Sequence, residues 1–176
     1  MSFDDAPAGV DWSTRTIALA GFMGVGKTSI ARQLARLIDR PYLDSDSVVV
    51  DRLGRSIQAA FAAGEERHFR EVERDVVKEL ARSAPPGVVA LGGGALIDDS
   101  TLELLLREAL LVHIHLPWEA FEALIPKLRR GRPLLVNATV EVRREGVDKS
   151  AAVLLEALAP FGIRPGAQVD APGQLP

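Results

Sequence analysis

Gly21-Phe22-Met23-Gly24-Val25-Gly26-Lys27-Thr28 reads G-x-x-x-x-G-K-T, the pattern of a loop that wraps phosphate groups, the P-loop. Its glycines let the backbone curl until several N–H groups point inward at phosphate oxygens. Lys27 reaches the β- and γ-phosphates, and the Thr28 hydroxyl can hold a Mg²⁺ bound to them. A helix that begins there adds unpaired N–H groups and a positive dipole end. The flanks agree. Thr16-Ile17-Ala18-Leu19-Ala20 is a short apolar run, and Ile30, Leu34, Leu37 and Ile38 recur with helical spacing from Thr28 onward. Chance draws this pattern from such a composition about two times in a thousand, so a bare glycine-rich turn is a poor rival.

Working outward, strands and helices alternate. Arg40-Pro41 breaks the first helix, and Tyr42-Leu43 leads into Asp44-Ser45-Asp46. A short helix is expected from Ser47 to Leu53, ended by Gly54, and Ser56 caps another running through Ala63. Glu66 to Ala81 reads as a longer helix with Phe69, Val72, Val76 and Leu80 on one face. Val88-Val89-Ala90-Leu91 is a buried strand that enters Gly92-Gly93-Gly94. Thr101 to Glu108 is helical, with Asp98, Asp99 or Ser100 as its cap, and Leu110 to Leu116 is a strand. Trp118 to about Leu124 reads as helix, Val140-Glu141-Val142 as a last strand, and Ser150 to Leu158 as a last helix. Such alternation implies an α/β fold with a mostly parallel sheet covered on both faces. Ligands then bind outside the carboxyl ends of the strands, where the P-loop, Asp44-x-Asp46 and the glycine triplet all fall.

A chain of 176 residues, 47 % hydrophobic, can bury one sizeable core. The expected division is a loose arm over 1–15, one domain over 16–160, and a flexible tail over 161–176. Net charge −3 gives no electrostatic case for nucleic acid. Cysteine is absent, which excludes disulfides and thiolate chemistry. No stretch is long enough to span a bilayer, and Met1-Ser2-Phe3-Asp4-Asp5 lacks the basic and apolar regions of a signal peptide. A monomeric cytoplasmic protein with small-molecule partners, and no membrane, is the expectation.

Asp44 and Asp46, two apart after a strand, could face the same way. Beside a Mg²⁺-nucleotide, one carboxylate can bind metal water and the other hold a substrate hydroxyl; the plainer reading is a helix cap. The glycine triplet allows close approach of a ligand and exposes N–H donors, or is simply a tight connection. Arg70 could fork onto a carboxylate ligand, with Glu73 one turn away to hold it, although pattern alone favours an exposed ion pair. Arg129-Arg130-Gly131-Arg132 is by default a solvated charge run, but in a kinase a mobile arginine lid neutralises the transferring phosphoryl group. His113-x-His115 has metal-ligand spacing but no evident third ligand.

Taken in order, the P-loop, Leu43-Asp44-Ser45-Asp46, Gly54-Arg55-Ser56-Ile57 with Phe61, and Glu66-x-x-Phe69-Arg70-x-x-Glu73 resemble the shikimate kinase family. Leu91-Gly92-Gly93-Gly94-Ala95 and Arg132-Pro133-Leu134-Leu135 complete the likeness, which covers about Thr16 to Leu135 and more faintly Ala138 to Leu158. The resemblance implies ATP-dependent phosphorylation of the 3-hydroxyl of shikimate, with Mg²⁺. It also implies a three-layer P-loop kinase fold with a five-stranded parallel sheet. Carried over by position, Gly24, Val25, Gly26, Lys27, Thr28 and Ser29 bind ATP, and Thr28 and Asp44 serve the metal. Asp46 binds substrate hydroxyls and orients or deprotonates the attacking oxygen. Arg70 binds the carboxylate with Glu73 behind it. Gly92, Gly93 and Gly94 line the substrate, Gly93 offering an N–H, and Phe61 and Phe69 pack around the ring. Arg132 is the lid arginine, within a lid at about 126–137.

One departure stands out. Family members carry a further helix after the lid, ending in a second arginine that clamps the carboxylate. Here Leu135 runs almost directly into Val136-Asn137-Ala138-Thr139-Val140; either the one basic knot serves both arginine roles, with Arg130 at the better spacing for the second clamp, or one role is lost. The rival readings are another sugar-acid kinase, such as a gluconate kinase, and a shortened nucleotide-binding protein with poor turnover.

Overall fold

The structure is a computed structural model that describes residues 10–22, 24–115, 138–141 and 146–166. The helix expected over Trp118 to Leu124 and the lid with Arg129, Arg130 and Arg132 lie outside these residues.

Five strands form one parallel sheet: β1 (Ile17–Gly21), β2 (Tyr42–Asp44), β3 (Val88–Ala90), β4 (Leu110–His115) and β5 (Ala138–Glu141), in the order β2-β3-β1-β4-β5. β1 is central, with Ile17 opposite Val88 on one side and Leu110 on the other. Its apolar run is continuous because both faces are covered. Ile17 and Leu19 face α1 (Lys27–Leu37) and α6 (Val147–Leu158), packing with Ile30, Leu34, Leu154 and Leu158. Ala18 and Ala20 face α2 (Ser45–Leu53), α4 (Glu66–Ala81) and α5 (Asp99–Glu108), packing with Val49, Phe69, Val76 and Leu105. A short α3 (Ile57–Ala62) connects α2 to α4 along the chain.

Helix ends follow their chemistry. Gly54, at φ 66°, ends α2, and Ser56 Oγ accepts the Ala59 N–H at the start of α3. Asp98, of the three candidates, caps α5 by accepting from Thr101 N at 2.9 Å.

Three local expectations are corrected. The arm was expected to be loose to residue 15, yet Trp12 is 6 % exposed and meets Phe161 edge-on at 6.4 Å. The tail was expected to be flexible from 161, yet Phe161 and Ile163 are buried, and Gly166 N donates to Leu37 O at 2.6 Å. Polar composition hid these apolar anchors, each of which gains by leaving water. Finally, α2 begins at Ser45 rather than Ser47. Asp44 therefore ends a strand while Asp46 sits in a helical turn, and strand alternation does not decide where the two point.

Candidate active site

The P-loop leaves the carboxyl end of β1. Gly21 has φ 148°, and a Cβ there would lie 2.5 Å from the Ile114 carbonyl of β4. No side chain fits, so the first glycine is required before any ligand is considered. Lys27, the first residue of α1, turns back and donates to Gly21 O at 2.8 Å and Phe22 O at 3.1 Å. Burial pushes its ammonium below the ordinary lysine value, opposed by the charges of Asp46 and then Asp44.

Asp44 does two jobs. Its Oδ1 accepts from Asp46 N at 3.1 Å and Ser47 N at 3.2 Å, capping α2. Its Oδ2 accepts from Thr28 Oγ1 at 3.3 Å and Tyr42 Oη at 3.1 Å. The cap uses one oxygen of the carboxylate and leaves the other to Thr28 and Tyr42. Tyr42 carries the Arg32 guanidinium over its ring, 5.2 Å from the centroid. Burial, then the Asp44 charge, raises the Tyr42 phenol, so it stays a donor.

Asp46 faces the glycine triplet. A Cβ on Gly92 would fall 2.3 Å from Asp46 Oδ1 and 3.3 Å from Glu73 Oε1. A Cβ on Gly94 would fall 2.6 Å from Arg70 Nη1. These glycines are thus bare because side chains from α2 and α4 press against their backbone; Gly93, with nothing within 4 Å of a built Cβ, faces open space. Burial raises the Asp46 carboxyl, the Asp44 charge adds to this, and Lys27 opposes it. The result is a carboxylate more basic than an ordinary aspartate, close enough to Lys27 for each to shift the other.

Arg70 donates from Nη1 to Glu73 Oε2 at 2.7 Å, and Glu66 lies 3.6 Å from Nη2. Pattern alone favoured an exposed pair, but Glu73 is 5 % exposed. The reason is tertiary: the glycine loop covers that face of α4. Burial raises the Glu73 carboxyl, opposed by Arg70's hydrogen bond and charge. The Arg70 guanidinium also lies 5.0 Å from the Phe69 ring and 5.8 Å from that of Phe61, and the two rings are 5.0 Å apart. Phe69 is buried, and Phe61 is 39 % exposed. A cleft of about 600 Å³ opens beside Arg70, lined by Glu66, Arg74, Gly94, Asp98 and Thr101 among others. Arg74 bridges to Asp98 at 3.1 Å, tying α4 to the cap of α5.

Sequence reading passed over Ser45, Tyr42 and the Arg74–Asp98 pair. Ser45 fills only the unspecified position of Asp44-x-Asp46, the others sit in no motif, and their partners alone reveal them. His113 and His115 have ring centroids 6.2 Å apart, and among the described residues no three acidic, histidine or cysteine side chains form a metal cluster.

The family model for shikimate kinase matches residues 23–161. A shikimate kinase of Zymomonas mobilis is 36 % identical over 154 residues, covering 88 % of this chain and 86 % of the relative. The chain belongs to the shikimate kinase family. The solved structure of a shikimate kinase from Acinetobacter baumannii in complex with shikimate covers 90 % of the chain and all of its own length, with 26 % identity and a TM-score of 0.73. A gluconokinase of Sinorhizobium meliloti shares the fold at 16 % identity and a TM-score of 0.53. The α/β P-loop kinase fold is that of the family, and the gluconate-kinase reading is the weaker one. Among the described residues no helix is long and apolar enough to cross a membrane.

Proposed function

We propose that this protein transfers the γ-phosphoryl group of ATP to the 3-hydroxyl of shikimate, and that it does so as a cytoplasmic monomer. What carries the reading is the convergence of Lys27, a basic Asp46 and the Glu73-backed Arg70 on the carboxyl ends of β1, β2 and β3.

In this reading the P-loop amides and Lys27 hold the phosphates of ATP, and Ser29 extends that contact. The acceptor's carboxylate lies on the Arg70 fork, and its ring lies against Phe61, Phe69 and the Gly92–Gly94 backbone. Its hydroxyl meets Asp46. As the hydroxyl oxygen bonds to the γ-phosphorus, the bond to the bridging oxygen of ADP breaks and the hydroxyl proton passes to Asp46. Lys27 and the lid Arg132 stabilise charge on the moving group. Arg130 supplies the second contact to the carboxylate.

Thr28 Oγ1 and Asp44 Oδ2 are hard oxygen donors 3.3 Å apart at the loop. They fit Mg²⁺, which takes few protein ligands and keeps phosphate and water oxygens around it. When bound, Mg²⁺ neutralises phosphate charge. Coupled ADP release tests the reading: turnover with shikimate, and none above the no-acceptor control with gluconate, is expected. Equal or greater turnover with gluconate would reject the substrate assignment.

A further inference from the structure

Among the described residues, five polar or charged side chains are buried: Thr16, Ser45, Glu73, Thr101 and Ser150. A buried hydroxyl is costly unless it is bonded, so its partner is informative. Three of the five stand around the glycine loop. Glu73 holds Arg70. Thr101 Oγ1 donates to Asp98 at 3.2 Å. Ser45, with no exposed surface, receives the Gly92 N–H at 2.8 Å.

This last bond marks where β3 leaves the sheet. Leu91 N still donates to Leu19 O of β1 at 3.0 Å, but the next amide is given to α2 instead. Ser45 opens that helix, between the two aspartates. Asp46, the next residue, presses its carboxylate against the same glycine. The first turn of α2 therefore grips Gly92 at two points, one a hydrogen bond and one a contact that no Cβ could survive.

We propose that Ser45 is a positioning residue: its hydroxyl sets the spacing between the Asp46 carboxylate and the glycine loop, and so shapes the pocket for the acceptor hydroxyl. Without it, the Gly92 amide loses its acceptor and has the Asp46 carboxylate beside it. A carboxylate that takes that N–H is turned away from the acceptor. The nucleotide side is untouched, because among the described residues Ser45 makes no bond to the P-loop.

This inference rests on the reading of Asp46 as the group that meets the acceptor. The test compares Ser45→Ala and Ser45→Thr in the full chain, using whichever acceptor the wild type turns over, so a failed shikimate assignment leaves the test standing. Ser45→Ala should lower kcat/KM for the acceptor about tenfold, as loss of one well-placed contact does. ATP affinity, titrated without acceptor, should not change, and Ser45→Thr, which keeps the hydroxyl, should restore most of the loss. By NMR, the Gly92 amide proton should keep its chemical shift in Ser45→Thr and change it in Ser45→Ala, where the Asp46 carboxylate replaces the hydroxyl as acceptor. Wild-type kinetics in Ser45→Ala, equal damage in both variants, or parallel loss of ATP affinity would overturn the proposal. If Ser45→Ala does not fold, the wild type still decides. A Gly92 amide that exchanges with solvent as fast as an unfolded chain carries no such bond.

Discussion

The nucleotide half and the acceptor half of the proposed site are built in different ways. The P-loop is one contiguous stretch, and its lysine bonds to carbonyls five and six residues away. The acceptor half joins pieces that are distant in the chain: Ser45 with Gly92, 47 residues apart, and Arg74 with Asp98, 24 apart. A loop whose shape follows from its own glycines and from one tight strand neighbour tolerates change elsewhere. A pocket assembled from α2, α4 and the glycine loop depends on each of them. Losses on the first side should therefore be chemical and confined, and losses on the second should mix binding, chemistry and stability.

The largest effect is expected at Lys27. Lys27→Ala should reduce turnover by about 10³-fold or more, since it removes a charge aimed at the developing phosphoryl charge. The fold should survive, because burial already disfavours the ammonium. Steady-state turnover and thermal unfolding on one sample check this; turnover near wild type would remove Lys27 from the mechanism.

Asp46→Asn should cost about 10²–10⁴ in turnover, the usual range for a general base, with little change in ATP affinity. Its effect on stability runs the other way. The folded Asp46 carboxyl is raised by burial, so the native state holds that proton after the unfolded chain has released it. The contribution of this group to stability therefore falls as pH rises from the ordinary carboxylate range through the raised value. Asp46→Asn should unfold at a higher temperature than the wild type at neutral pH, and the difference should shrink under acid. An unfolding midpoint below that of the wild type at neutral pH would mean that Asp46's attraction to Lys27 outweighs its burial.

Arg70→Ala should weaken acceptor binding roughly ten- to a hundredfold, as loss of a charge-assisted pair does. It should also lower the unfolding temperature, because Glu73 is left buried without its partner. Calorimetric titration against Arg130→Ala divides the carboxylate between the two. Tight binding that neither substitution disturbs would place the carboxylate elsewhere.

Tyr42→Phe is the mildest. It deletes one hydrogen bond to Asp44 Oδ2 while Thr28 keeps the other. About fivefold weaker Mg²⁺ dependence is expected from one such bond, with acceptor affinity unchanged. Direct titration of Mg²⁺ into the nucleotide complex reads the effect without turnover, and an altered acceptor affinity instead would show that the two halves are coupled through Asp44.

Much of this is legible in the sequence alone. The loop pattern, the apolar run before it and the helical spacing after it are short-range signals, and α1, α4 and β3 form within a residue or two of where periodicity puts them. Parallel order followed from alternation, since a strand and helix repeated in that way can be covered only on both faces. Lys27, Thr28, Asp44, Asp46, Arg70, Glu73 and the glycines each stand out in a sequence pattern. Their pairing does not. Trp12 and Ile163 look like residues of a fraying arm and tail until Phe161 and α1 are seen to receive them. Asp44 divides its two oxygens between a cap and Thr28, Glu73 is buried, and Ser45 takes the Gly92 amide; each outcome depends on which backbone lies across the gap. Backbone conformation and apolar period are written in neighbouring residues, and the sequence by itself determined them. Burial, and the choice of one hydrogen-bond partner over another, are properties of surfaces that meet only after the sheet has formed, and the tertiary structure alone decided them.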